Sequence, residues 1–163
     1  MIKSFIKGCA VAAMALTLAN MHAYAQPANK LANAIVAAAQ NAAKSEDLEA
    51  AARLYEAAIV SNPASVAAYV GLGKTQAALA RPQAAKRYFA TAVKIDPNDL
   101  NALEAQSVHM ITLGDLSDAE KNISRLKRLC ADGCAQLSSV LKAYDKALEE
   151  KRSRVLGEGA EGS

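Results

Sequence analysis

Residues of matching type recur along this chain at a fixed interval of 34 positions. Asn62-Pro63 and Asp96-Pro97 each end an apolar stretch with helical spacing, and the two prolines lie 34 positions apart. A shift by this interval aligns three further sets: Ala51, Ala85 and Ala119; Tyr55, Phe89 and Ile123; and Ala58, Ala92 and Leu126. A period of about 20 to 50 residues is typical of chains that stack one supersecondary unit repeatedly. The period therefore predicts an array of stacked units.

The pattern within one period indicates helices rather than strands. Residues 115–127 hold apolar side chains at the three-and-four spacing of an amphipathic helix, and Gly114-Asp115 breaks the chain before them. Pro63 and Pro97 cannot continue a helix and so mark where one unit ends. Alanine, the strongest helix former, is abundant, whereas aromatic residues make up only 4% of the chain. No segment alternates convincingly as a strand would, so we expect an all-α fold.

The middle unit, 66–99, carries the residues of a known repeat pattern. All but one of the places that define the tetratricopeptide pattern are filled, by Tyr69, Leu72, Gly73, Ala85, Phe89, Ala92 and Pro97. Gln76 stands at the remaining place, where the pattern has an aromatic residue. The chain therefore resembles the tetratricopeptide repeat family. The resemblance implies a right-handed α-solenoid of helix hairpins, with three repeats at 32–65, 66–99 and 100–133.

The resemblance also assigns packing roles to the recurring residues. Gly73, on the first helix of its pair, would allow the second helix to approach closely. The large side chains at Tyr55, Phe89 and Ile123 would fill the space between neighbouring pairs. The leading helices of the first and third repeats depart from the pattern, and end repeats of a solenoid are often atypical because one face has no neighbour.

One further amphipathic helix is predicted after the third repeat, at 134–153. Its apolar stripe consists of Leu137, Val140, Leu141, Tyr144 and Leu148. Since no second helix follows, this segment is expected to cap the last repeat and shield it from solvent. The remaining residues, 154–163, are rich in Gly, Glu and Ser towards their end and are predicted to form a flexible tail.

The first 25 residues predict a secretory signal peptide. Lys3 and Lys7 precede an apolar run at 9–18, and Ala23-Tyr24-Ala25 places small residues at the cleavage positions. Cleavage after Ala25 would leave a short lead-in, 26–31, before the repeats. We therefore predict export to an oxidising compartment, the bacterial periplasm.

A membrane anchor and a lipoprotein signal are the alternatives for this N-terminal segment. An anchor needs about 20 apolar residues, and here Asn20 and His22 interrupt the run. A lipoprotein signal would place its cysteine after the apolar core, whereas Cys9 stands before it. No stable insertion in the membrane is expected once the signal peptide has been removed.

Cys130 and Cys134 are the only cysteines of the predicted mature chain, because Cys9 would leave with the signal peptide. An even pair in an exported protein favours a disulfide. Cys130 directly precedes the position where the first two repeats have Pro63 and Pro97, so the disulfide would stiffen that turn in place of the proline. Unpaired thiols, a redox site and a metal site are the alternatives. The C-x-x-x-C spacing is not that of thioredoxin-like sites.

The sequence offers no catalytic constellation. It contains no nucleophile elbow, Walker loop or HExxH motif, and the glycines at 71–75 lack the spacing of a phosphate loop. His109 would be the one histidine of the mature chain and is expected to pack against neighbouring helices. A zinc site needs about four ligands, more than His109 and two thiols provide. We predict a protein that is not an enzyme and has neither cofactor nor metal.

The resemblance implies a concave groove, lined by the leading helix of each repeat, in which the family generally binds peptides or other proteins. The residues at groove positions are Asn33, Val36, Gln40, Lys44, Val70, Lys74, Ala77, Asn101, Glu104 and Val108. The cluster of cationic and amide side chains with which some relatives capture a chain end is not reproduced. A net charge of +3 without a basic cluster argues against a nucleic-acid partner.

These features predict an exported protein-interaction module with an unidentified protein or peptide partner. Envelope assembly, secretion and pilus biogenesis are the processes in which such a module would act. The alternative is a structural scaffold protein that associates with itself, as a homo-oligomer, and has no peptide ligand.

Overall fold

The computed structural model describes residues 29–160, with side chains for 29–156. Seven helices and no strand occupy these residues, which confirms the predicted all-α fold. The helices are α1 (29–44), α2 (Leu48–Ser61), α3 (Val66–Ala78), α4 (Pro82–Ile95), α5 (Leu100–Thr112), α6 (Leu116–Leu129) and α7 (Ala135–Ala160). The predicted signal peptide and residues 26–28 of the lead-in lie outside the described residues.

The first six helices form three hairpins, one in each 34-residue period. Side chains of α1 and α2 share a core, and α3 packs against α2, α4 and α5. The leading helix α5 packs in turn against α4, α6 and α7. Because α3 contacts α5 and α5 contacts α7, the leading helices of successive units lie side by side along one face of the stack. This arrangement is the array of stacked units that the period predicts, built from helix hairpins as the resemblance implies.

The recurring residues form the interior of the stack. Eight of the nine residues in the aligned sets are at most 4% exposed, and the ninth, Ile123, is 6% exposed. A Cβ atom built on Gly73 would lie 2.6 Å from Cε1 of Phe89, so the close approach of α3 and α4 depends on this glycine. Gly71 has the same relation to Tyr55 of the preceding hairpin, with a Cβ-to-Cε1 distance of 2.1 Å. The sequence pattern predicts the first of these contacts but not the second.

The turn inside each hairpin ends its first helix in the same way. One residue per turn has a positive φ: Glu46 (62°), Ala80 (55°) and Gly114 (81°), at intervals of 34 positions. The next residue donates its N–H to a carbonyl five positions earlier, as in a Schellman motif: Asp47 to Ala42, Arg81 to Gln76 and Asp115 to Met110. Only the third turn has the glycine that this left-handed conformation favours.

Exchanging alanine and glycine at these turns is expected to change stability in opposite directions. Ala80→Gly should raise the free energy of unfolding by about 1 kcal/mol, because a left-handed residue with a Cβ costs about 1 to 2 kcal/mol. Gly114→Ala should lower it by a similar amount, since a Cβ there would meet no atom within 4 Å and only the backbone is strained. Urea unfolding followed by circular dichroism measures both changes. A Gly114→Ala variant as stable as the wild type would contradict this account.

The turns between hairpins use side-chain hydrogen bonds where the chain passes to the next unit. Asn62 Oδ1 accepts from the N–H of Ala64 at 3.0 Å, and Asp96 Oδ1 accepts from the N–H of Asn98 at 2.9 Å. Cys130 occupies the equivalent third position, 34 residues after Asp96. The third junction therefore has a cysteine at the position where the first two have a side chain that accepts a local hydrogen bond.

Cys130 and Cys134 form a disulfide, with their Cα atoms 5.6 Å apart. The turn between them is closed by the N–H of Gly133, which donates to the carbonyl of Cys130 at 2.9 Å, and Gly133 has a φ of 87°. Cys134 Sγ also accepts from the N–H of Leu137 at 3.4 Å, in the first turn of α7. The disulfide therefore joins the end of α6 to the start of the capping helix.

The capping helix α7 packs on α5 and α6 through its first half. Val140 is fully buried there, and Gln136 Nε2 donates to Asn101 Oδ1 of α5 at 3.1 Å. Tyr144 donates its hydroxyl to Glu120 of α6, and this hydrogen bond to a carboxylate raises the pKa of Tyr144 above its usual value. The helix continues to Ala160, beyond the predicted boundary at 153, so the first part of the segment expected to be a tail is helical. None of the helices described is long and apolar enough to cross a bilayer.

Candidate functional site

Three adjoining cavities follow the face that the leading helices form. The first, of about 360 Å³, lies between α1 and α3, and a second of about 320 Å³ extends from it towards the start of α5. The third, of about 340 Å³, lies between α3 and α5 and reaches Ser139 of α7. Lys74 lines all three, so the cavities form one groove with this side chain at its centre.

Most residues predicted for the groove line these cavities. The eight that do so are Gln40, Lys44, Val70, Lys74, Ala77, Asn101, Glu104 and Val108. Asn33 is exposed but borders none of the three. All the predicted positions on α3 and α5 therefore line these cavities, as do those in the second half of α1.

Two of the predicted groove residues belong to the core. Val36 is 6% exposed, packs with residues of α2 and lines no cavity of the groove. Val70 is 8% exposed and packs against α4 and α5, with only an edge towards the groove. The neighbouring side chains are mostly alanines, so the helices lie close together and cover these valines. A ligand would therefore meet the polar and alanine positions rather than these two valines.

Three ionisable side chains of the groove have no partner among the described residues. Lys44 and Lys74 are exposed and Glu104 is half-buried, and none makes an ion pair or side-chain hydrogen bond within 29–156. Elsewhere, opposite charges on neighbouring units pair directly, as in Arg81 with Glu49 at 2.8 Å. The groove thus presents two unpaired cations and one unpaired carboxylate to solvent or to a ligand. A second carboxylate, that of Asp99, lines the second cavity and accepts from the N–H of Ala102 at 2.7 Å.

Two aromatic rings that the sequence assigned to the interior lie buried directly beneath the groove. Tyr55 borders the first two cavities, and its burial raises the pKa of the phenol. Phe89 borders the third, beside His109, with the two ring centroids 5.3 Å apart. These rings pack closely against α3 because Gly71 and Gly73 leave space for them. The two glycines are the signal in the sequence for the position of these rings.

His109 has a structural position. It is 7% exposed, and its Nε2 lies 3.0 Å from the carbonyl oxygen of Pro82 at the start of α4. The ring therefore links two successive units and packs on Phe89, in agreement with the packing role expected for it. Within the described part of the chain, no group of His, Cys, Asp and Glu side chains is placed to hold a metal ion.

A larger cavity, of about 750 Å³, adjoins the groove where the second half of α7 passes the turn between α5 and α6. Val108 and Thr112 border both this cavity and the third cavity of the groove. Its other walls combine apolar side chains of α5 and α6 with Lys146, Lys151 and Arg154 of α7. The concave face therefore extends as far as the capping helix.

Comparison with known proteins identifies a family sequence pattern in part of this chain. Residues 42–108 match the sequence model of the family described as Tetratricopeptide repeat. No curated protein sequence matches the chain.

Several solved structures have the same fold at low sequence identity. The TPR2B domain of yeast Sti1, in a structure of its complex with pHsp70, has a TM-score of 0.67 at 17% identity, covering 73% of this chain and 97% of that one. The first TPR domain of human RPAP3 has a TM-score of 0.67 at 16% identity, with 77% and 98% covered.

The type III secretion chaperone SycD of Yersinia enterocolitica, in complex with a peptide of the translocator YopD, is also similar. It has a TM-score of 0.62 at 17% identity, covering 75% of this chain and 92% of that one. Residues 42–108 therefore carry the sequence pattern of tetratricopeptide repeats, and the stacked hairpins have the fold of these repeat domains.

Proposed function

We propose that this chain is a protein-interaction module that binds a segment of another protein in the groove formed by α1, α3 and α5. The observation that carries the proposal is the continuity of the three cavities around Lys74. A continuous groove suits an extended peptide better than it suits a compact small molecule. The complexes of yeast Sti1 with pHsp70 and of SycD with a YopD peptide support this function, because their chains have the same fold.

We also propose that the module acts after export to the periplasm, in envelope assembly, secretion or pilus biogenesis. The basic and apolar start of the sequence, with Ala23-Tyr24-Ala25 as a cleavage site, supports export. The Cys130–Cys134 disulfide is consistent with an oxidising compartment, since disulfides are rare in the cytosol. Chain purified from a periplasmic fraction should begin at Gln26.

A crosslinking experiment tests the groove. A photoreactive amino acid is placed at Ala77, which is exposed on the groove, and, as a control, at Ala57, which is exposed on α2 and borders none of the described cavities. We expect a specific adduct at Ala77 and none at Ala57. The captured segment is then identified by mass spectrometry and synthesised as a peptide. Equal adducts at the two positions would contradict binding in the groove.

Affinity measurements with that peptide provide the second step. Lys74→Glu is expected to weaken binding about tenfold, equivalent to about 1.4 kcal/mol, because it replaces the central cation of the groove. Lys94→Glu is the matched control, with the same change of charge at an exposed position on the outer helix α4. Isothermal titration calorimetry of both variants gives the comparison. Unchanged affinity for Lys74→Glu would reject the assignment of the groove.

One observation favours the alternative, a scaffold that associates with itself. Leu148, Val155 and Leu156 expose 38%, 62% and 69% of their surface along the second half of α7. A second copy would bury these side chains if the chain forms a defined oligomer. Light scattering of the purified protein distinguishes the two functions, since a monomer at high concentration contradicts the scaffold.

A further inference from the structure

We infer that the groove binds its peptide preferentially in one orientation, with acidic residues towards the first repeat and a basic residue towards the third. This inference rests on the proposed function and adds the chemical character of the ligand. It depends on the order of charges across the leading helices. Lys44 lies on α1, Lys74 on α3 and Glu104 on α5.

Lys74 and Glu104 line the same 340 Å³ cavity and come from the two helices on either side of it. Nevertheless no ion pair joins them in the described part of the chain. Two pairs of opposite charges do join neighbouring units in this part of the chain, Arg81 with Glu49 at 2.8 Å and Lys86 with Asp115 at 2.7 Å. A gap between two unpaired and opposite charges suits a ligand that contacts both, through a carboxylate at Lys74 and a cationic side chain at Glu104.

The spacing of the helices sets the spacing of these ligand residues. Packed helices lie about 8 to 10 Å apart, and an extended peptide advances about 3.3 Å per residue. The acidic and the basic residue should therefore be about three positions apart. The surface between their binding positions includes Ala77, Ala105 and Val108, so small or apolar ligand residues fit there. Lys44, on the next helix, favours a second acidic residue on the other side.

Reversing such a peptide would bring its basic residue to Lys74 and its acidic residue to Glu104. Each partly exposed ion pair contributes only modestly to affinity, and like charges placed together cost similar amounts. Losing two attractive contacts and gaining two repulsive ones should lower the affinity of the reversed order about tenfold. Lys74 and Glu104 therefore determine which orientation of the peptide binds more tightly.

Selection from a displayed library of random ten-residue peptides tests this inference. The wild type is compared with the charge exchange Lys74→Glu/Glu104→Lys, which keeps the net charge. The matched control is Glu56→Lys/Lys94→Glu, an exchange at exposed positions on the outer helices α2 and α4. The selected peptides are then synthesised with their charged residues in both orders, and their affinities for the three proteins are measured.

We expect the wild type and the control exchange to select one order of acidic and basic residues, with about a tenfold preference. The groove exchange should prefer the reverse order. If it retains the wild-type order, or if the wild type binds both orders equally, the inference is wrong while binding in the groove stands. If no peptide is enriched by any of the three proteins, both the inference and the proposed function are overturned.

Discussion

Replacing Gly73 with alanine is expected to lower the free energy of unfolding by about 2 kcal/mol. The added Cβ would lie 2.6 Å from Cε1, 2.7 Å from Cδ1 and 3.0 Å from Cζ of Phe89. Phe89 is 2% exposed and packs on His109, so its ring cannot move away without disturbing the next hairpin. Overpacking of this kind costs about 3 kcal/mol, and the better helix propensity of alanine returns about 1 kcal/mol. Urea unfolding measures the difference.

Two further variants separate the steric effect from helix propensity. Ala77→Gly, at an exposed position of the same helix, should cost about 1 kcal/mol through propensity alone. In the double variant Gly73→Ala/Phe89→Leu, the smaller side chain should relieve the clash, with a coupling energy of about 1 kcal/mol or more. A Gly73→Ala protein as stable as the wild type, or additive effects in the double variant, would show that the contact of α3 with α4 does not depend on this glycine.

The parts of the fold that depend on side-chain size could be predicted from the sequence. Ala51, Ala85 and Ala119 are each fully buried, and such interior positions can be recognised because only small residues fit where helices approach closely. The hairpin bounds follow from the same period. Resemblance to the family then predicted most of the residues that line the three cavities, since a leading helix presents the same face in each repeat.

Features that depend on backbone conformation or on the depth of burial could not be predicted from the sequence. Glu46 and Ala80 adopt a positive φ, although neither residue favours it, and only Gly114 signalled this turn. Val36 and Val70 occupy groove positions of the pattern, but the close packing that alanine allows covers them. The unpaired state of Lys74 and Glu104 is likewise a matter of distance between helices, which no sequence pattern specifies.

Loss of the Cys130–Cys134 disulfide is expected to lower the free energy of unfolding by about 2 kcal/mol. Linking residues that are four positions apart removes conformational entropy from the unfolded chain, at the low end of the range for disulfides because the loop is short. In the folded protein the effect of losing the disulfide is local, because the disulfide joins the end of α6 to the start of α7. Amide exchange should therefore increase first in α7, including the N–H of the fully buried Val140.

The first two junctions of the solenoid suggest the control for this prediction. At the first junction Asn62 closes the turn, and Ser65 caps α3 by accepting from a backbone N–H at 3.3 Å. At the second junction Asp96 closes the turn, and Asp99 caps α5 by accepting from a backbone N–H at 2.7 Å. Cys130→Asn/Cys134→Ser would restore both types of hydrogen bond without a covalent link, whereas Cys130→Ala/Cys134→Ala restores neither.

We expect the alanine pair to lose about 2 kcal/mol and the Asn/Ser pair to regain about 1 kcal/mol of it, the usual contribution of a helix cap. Urea unfolding of both variants, and of the wild type with and without a dithiol reductant, gives these values. If reduction leaves the stability of the wild type and the amide exchange of α7 unchanged, the disulfide does not hold the capping helix in place.

The capping helix matters to the groove because Gln136 contacts Asn101 and Ser139 borders the third cavity. A loosened α7 should therefore also weaken peptide binding, in proportion to the protection lost in its first turns.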